Sequence, residues 1–297
     1  MGVPPRMPVS FPARIGSRHP VRQEGAFMSD GVPHDITRLF DLAALGEDSF
    51  LATAPSVGRP RLFGGQVAGQ SLRAACLTAG GRPPHSLHAY FIRPGMPDEP
   101  LTLDVARTRD GRSFSTRHVT ASQGGKPILE LIASFHEPED GFDWQPGAPS
   151  GTPSPETLPR AELPAFFKHP VGFDIRVLNP PAEGEFRLPH PFWIRASGTV
   201  GDDPALHACL VAYLTDMGVV SSARAPGSPR ELATAVTLDH AVWFHRPPRV
   251  DRWLLYSVDP VTNHGARGLA RGTLHTADGT LLASIAQEAL LRPASGG

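Results

Sequence analysis

One pattern is written twice along this chain, and that constrains its fold more than any other feature. Residues 88–94, HAYFIRP, align with 241–247, AVWFHRP, at an offset of 153. Residues 117–134, RHVTASQGGKPILELIAS, align with 271–288, RGTLHTADGTLLASIAQE, at an offset of 154. A one-residue change of offset is what a single turn absorbs. A repeat of this length implies two copies of one supersecondary unit buried against each other. The copies are separated by residues 137–160, where six prolines in 24 residues forbid both a helix and a central strand. The expected organisation is therefore a first copy over 28–136, a linker over 137–160 that Trp144 could anchor, and a second copy over 161–293.

Each copy carries the same kinds of element. Val67, Leu72, Ala75, Cys76 and Ala79 recur near helical spacing over 63–79, and Leu206, Leu210, Tyr213 and Met217 do so over 205–217. Strand-like runs follow at 85–92, 101–107, 113–121 and 127–135, and again at 236–245, 253–259, 267–275 and 281–290. Asp110-Gly111, Gly124-Gly125 and Asp278-Gly279 mark the turns between them. Several antiparallel strands around one long helix give an α+β unit. The run 127–135 shows little polar alternation, so both of its faces are expected to be covered. Two sheets joined edge to edge, or stacked, would do that.

Composition excludes several classes. The 297 residues are 40% hydrophobic with a formal net charge of -1, which suits a folded chain and argues against one built to coat nucleic acid. No apolar run approaches the roughly 20 residues that cross a bilayer as a helix. Cys76 and Cys209 both sit in alanine-rich apolar runs and read as buried thiols, not as a disulfide framework. Residues 1–27 are basic and proline-containing without a secretory apolar core, and read as a disordered extension ahead of a start at Met28.

Three segments of the first copy, FGGQV (63–67), HSLHAYFIRPG (85–95) and RDGRSF (109–114), together with LDHAVWFHRP (238–247) and LASIAQE (282–288) in the second, resemble the type II acyl-coenzyme A thioesterases. The resemblance covers about residues 30–293. It implies a double hotdog, in which each copy wraps an antiparallel sheet around a long central helix. It also implies hydrolysis of fatty acyl-CoA to a free acid and CoA, with no metal or other cofactor, in the cytoplasm, by a homo-oligomer. By motif match the family's catalytic Asp, Thr and Gln fall on Asp216, Thr237 and Gln287, all in the second copy.

The chemistry asks for such a set. Water is a poor nucleophile, so a thioesterase that uses it directly must hold it, partly deprotonate it and stabilise an oxyanion. Asp216 can act as base, while Thr237 and Gln287 supply hydrogen bonds that aim the water. Read without the family, Asp216 is equally a surface carboxylate at a helix end, where the dipole does not favour it, and Thr237 a β-branched strand residue. Gln287 says more, because its counterpart in the first copy is Ala133. Backbone N–H groups at Gly64 and Gly65, opening the first helix, are candidate oxyanion donors, although close packing explains glycine there as well. Arg109, Arg112, Arg267 and Arg271, beside turns or strand starts, are candidates for the CoA phosphates. Asp239 and His240 are neighbours on one strand and so point to opposite faces, which argues against an acid–base pair and leaves His240 or His245 as a structural hydrogen-bonding residue. No Cys/His cluster has metal-ligand spacing. The alternatives are a hotdog enoyl-CoA hydratase and an acyl-CoA-binding module without turnover.

Overall fold

The computed structural model describes residues 35–54, 60–147, 149, 151–161, 172–180, 188–228 and 232–293. The extension expected at 1–27 lies outside the described residues.

In the first copy, strands β1 (Ala43–Ala44) and β2 (Ser49–Ala52) precede helix α1 (Gly64–Leu77), followed by β3 (Pro84–Phe91), β4 (Leu101–Asp110), β5 (Phe114–Gln123) and β6 (Lys126–His136). The second copy has β7 (Phe173–Val177), β8 (Phe192–Ala196), helix α2 (Pro204–Leu214), a short helix α3 (Val219–Ser222), β9 (Leu232–Thr237), β10 (Asp239–Phe244), β11 (Leu254–His264), β12 (Arg267–Thr276) and β13 (Leu281–Pro293). All strand pairings are antiparallel, and the order is β1-β2-β4-β5-β6-β3-β10-β13-β12-β11-β8-β7, with β9 on β13. The halves of that order mirror each other about the β3–β10 pair, where His88 faces Ala241 and Leu87 faces Val242. This is the double hotdog, each half-sheet curling around its own helix.

Edge-to-edge joining is thus the solution adopted. It leaves most of the outer face of the run 127–135, in β6, open: Leu129, Leu131, Ala133 and Phe135 turn inward, but of the residues alternating with them only Ile128 is buried and Ile132 is 47% exposed. Nor does Trp144 anchor the linker; it is exposed, and the tether is made by its neighbours. Gln145 donates to the Gly279 carbonyl and accepts from the Leu281 N–H, and Asp143 pairs with Arg246.

α1 and α2 pack on each other inside the sheet because glycine lets their backbones touch. A methyl group on Gly65 would lie 2.3 Å from the Tyr213 carbonyl oxygen, and one on Gly69 2.8 Å from that of Cys209. Neither contact is sterically tolerable, so both positions need a bare Cα. α2 is buried on all sides from His207 to Leu214, as befits a helix with a sheet on one side and α1 on another. Its start is capped by Asp203, whose side chain accepts from the Ala205 N–H, with Pro204 in the first turn.

Candidate active site

α2 ends sooner than the apolar spacing suggests, at Leu214, where the Thr215 hydroxyl turns back onto the Val211 carbonyl at 2.7 Å. Asp216 therefore lies in the turn beyond the helix, 7% exposed. Seen along the sequence, this is the unfavourable end of a helix dipole. Across the repeat it is the opposite, because Asp216 Oδ2 accepts from the Gly65 N–H, 2.8 Å away, in the first turn of α1. The carboxylate of the second copy thus caps the central helix of the first, whose own N-cap, Phe63, makes no side-chain capping hydrogen bond. A methyl on Gly64 would sit 2.9 Å from the same oxygen, so the glycine pair also makes room for the acid.

Gln287 is fully buried on the inward face of β13. Its Nε2 donates to Asp216 Oδ1 and to Thr237 Oγ1, both at 3.0 Å. That Thr237 faces inward at all is the work of a bulge. Thr237 pairs with Ala289 and Ala241 with Ala286, so four steps along one strand match three along its partner. The irregularity falls around Leu238, whose N–H donates to the Glu288 carbonyl at 2.9 Å and whose carbonyl accepts from the Phe91 N–H at 3.0 Å. In an unbroken strand, Thr237 and His240 would project to opposite faces. One extra residue puts both on the inner side with Gln287.

Behind this trio lies a second set of contacts. Gln287 Oε1 is 2.7 Å from His240 Nδ1, and His240 Nε2 is 3.0 Å from Thr215 Oγ1. His240 is wholly buried, and burial holds its pKa down at about 4, against a smaller upward pull from the Gln287 hydrogen bond. The ring is therefore neutral near neutral pH. Asp239, next in chain, points the other way, accepting from the Glu288 N–H at 2.7 Å and meeting His88 Nε2 at 3.2 Å.

Other residues singled out in the sequence are more scattered. Gly65 spends its N–H on Asp216, while Gly64 occupies the first helical position of α1. Arg109 and Arg112 flank the β4–β5 turn, Arg267 opens β12 and pairs with Glu288 at 2.9 Å, and Arg271 is exposed farther along β12. Arg109 and Arg112 thus belong to the first copy and Arg267 and Arg271 to the second. Among the described residues no group of three or more His, Cys, Asp or Glu could hold a metal ion.

Comparison with known proteins supplies the family. A family model described as acyl-CoA thioesterase matches residues 164–290, and one for the acyl-CoA thioesterase N-terminal domain matches 52–136. Human acyl-coenzyme A thioesterase 8 is 35% identical over 86% of this chain and 88% of its own length. The chain belongs to the acyl-CoA thioesterases. Acyl-CoA thioesterase 2 of Haemophilus influenzae is 34% identical, covering 89% of this chain and 99% of that protein. The solved structure of an acyl-CoA thioesterase II from Mycobacterium marinum superposes with a TM-score of 0.75 at 36% identity, covering 89% of this chain and all of the other. The thioesterase is accordingly a hydrolase of acyl-CoA thioesters with the double hotdog fold.

Sequence reasoning named His240 as a hydrogen-bonding residue but missed its partners, and missed Thr215 altogether. The signal for His240 was there. The offset of 153 sets it against Leu87, a polar-for-apolar exchange of the same kind that marks Gln287 against Ala133. Thr215 has no such mark, because the first copy also has a threonine, Thr78, just past its helix.

Proposed function

We propose that the thioesterase hydrolyses fatty acyl-CoA by direct attack of a water held between Asp216, Thr237 and Gln287. The observation that carries this is the Gln287 amide nitrogen, which bridges Asp216 and Thr237 at 3.0 Å each. A carboxylate, a hydroxyl and an amide then share one small region that only the part-buried Thr237 brings toward solvent. Asp216 takes a proton as the water oxygen bonds to the carbonyl carbon, and the π electrons move to the carbonyl oxygen. When that oxyanion collapses, the C–S bond breaks and the departing CoA thiolate takes the proton back from Asp216. The Gly64 N–H, at the positive end of α1, is the candidate donor to the oxyanion. Arg109, Arg112, Arg267 and Arg271 remain individual candidates for the CoA phosphates.

The same reading places the 28–136 and 161–293 copies as one catalytic unit with 137–160 as its strap. It takes the protein to be a homo-oligomer, since Tyr90, Ile132 and Trp243 lie exposed on the outer face of three adjoining strands, β3, β6 and β10. A cytoplasmic setting fits Cys76 and Cys209, both buried and free. No helix among the described residues is long and apolar enough to cross a membrane.

A single turnover in ¹⁸O-water, with enzyme in excess over decanoyl-CoA, tests the mechanism. Direct attack puts ¹⁸O into the first decanoate released. Unlabelled first-turnover product, with the label appearing in the Asp216 carboxylate, would mean a covalent acyl-enzyme instead.

A further inference from the structure

We infer that His240 is a positioning residue for the hydrolysis, holding the Gln287 amide with its NH₂ toward Asp216 and Thr237. The inference rests on the water-holding role proposed above for Gln287.

An amide has two ends of nearly equal shape and opposite hydrogen-bonding sense. An ionised Asp216 only accepts, so the end of Gln287 that meets Asp216 Oδ1 at 3.0 Å has to be the NH₂. The other end, Oε1, then faces His240 Nδ1 at 2.7 Å and needs a donor there. A buried neutral imidazole has one N–H, and this contact uses it. Nε2 is left as an acceptor, and the group 3.0 Å from it is the Thr215 hydroxyl.

Thr215 has a single hydrogen and two acceptors within reach, His240 Nε2 at 3.0 Å and the Val211 carbonyl at 2.7 Å. The choice between them sets the whole chain. With the hydrogen on Nε2, the ring carries its proton at Nδ1 and the amide stands as the chemistry requires, while the Val211 carbonyl gives up the 2.7 Å hydroxyl bond, whose two oxygens must then move apart, and keeps the Thr215 N–H at 3.0 Å. With the hydrogen on Val211, the ring proton moves to Nε2 to serve Thr215, and a lone pair at Nδ1 draws the NH₂ of Gln287 round. That turn would set Oε1 against the Asp216 carboxylate, acceptor to acceptor. Asp216 ionised, as the base proposed above must be, selects the first arrangement, and His240 transmits the choice to the residue that orients water. In this arrangement both Gln287 N–H groups are spent, on Asp216 and Thr237, and Thr237 keeps its own hydrogen to give. Burial keeps the ring neutral, its pKa about 4, so one tautomer can hold through the neutral range.

The first copy supplies the control. Leu87, opposite Ala133 on β3 and β6, stands where His240 stands opposite Gln287, so the fold itself accepts a leucine at this place.

The test uses three substitutions, with decanoyl-CoA as substrate. His240→Asn keeps an N–H close to the Nδ1 site, His240→Gln moves its amide outward to the Nε2 site, and His240→Leu copies the first repeat. The expected result is a fall of roughly 30- to 300-fold in kcat for His240→Leu and His240→Gln with KM within about twofold, while His240→Asn stays within about fivefold of wild type. Because His240 acts through Gln287, Gln287→Ala combined with His240→Leu should be within about twofold of Gln287→Ala alone. Three variants equal to wild type would overturn the inference, as would three equal losses tracking the loss of Tm, or a double variant whose losses multiply. If Gln287→Ala is itself as active as wild type, the water-holding reading fails and takes this one with it. If Gln287→Ala is inactive while His240→Leu is wild type, only this inference fails.

Discussion

The two copies handle the same buried place in opposite ways. Across β3, β6 and β5 of the first copy, Leu87, Ala133 and Arg117 lie side by side, next to Thr78 just past α1. In the second, across β10, β13 and β12, the matching row is His240, Gln287 and Ala270, next to Thr215 just past α2. The bulk has moved from one strand to its neighbour: small Ala133 beside large Arg117 becomes large Gln287 beside small Ala270. The chemistry has moved with it. Arg117, 2% exposed, has five N–H donors and makes five hydrogen bonds, to Thr78 Oγ1 and carbonyl, to the Arg109 and Thr116 carbonyls and to Asp110. Every donor is spent on a fixed partner, so the network is closed. Gln287 instead bonds to an acid and to a hydroxyl that keeps its own hydrogen to donate. A buried polar cluster becomes a site when its members keep capacity for a guest, and otherwise it serves only as mortar.

Emptying the open network should have the largest effect. Gln287→Ala, which gives the second copy the first copy's residue, is expected to lower kcat by roughly 10²- to 10⁴-fold with little change in Tm. An equal loss in the reciprocal Ala133→Gln variant would erase the distinction between the copies. Breaking the closed network should instead cost stability. Arg117→Met leaves buried carbonyls without donors and is expected to lose about 2–4 kcal/mol in denaturant titration, with kcat within about twofold at 25 °C. The smallest effect is on pH dependence. Burial lowers His240 and His190 to about 4 from an ordinary 6.5. Between those values the unfolded chain binds more protons than the folded one, so stability is complete above about 6.5 and declines as pH falls toward 4. Tm measured across that window should drop steadily in wild type and less steeply in His240→Leu.

Much of this was legible beforehand. The repeat, the two helices and eight strand segments follow from periodicity and turn residues, and the three catalytic candidates from motif resemblance. What escaped has a physical reason in each case. β7 and β8 are five residues each, too short for a period to show. The segment 236–245 reads as one strand because the bulge at Leu238 leaves no mark in hydropathy, yet that bulge is what turns Thr237 inward. Asp216 looks misplaced at the end of α2 until α1 arrives from more than a hundred residues upstream to be capped by it. Arg117 sits inside a run whose other copy has Arg271 at the aligned position, and only the strand register shows that its spatial counterpart is Ala270.

Hydrolysis is proposed to belong to the Asp216 carboxylate, held between Gln287 and the start of α1. Asp216→Asn keeps the shape and an acceptor for the Gly65 N–H, but it removes the base and turns an NH₂ toward the Gln287 NH₂. Steady-state thiol release by that variant from decanoyl-CoA should fall by at least about 10²-fold at unchanged KM; turnover at the wild-type rate would contradict the claim.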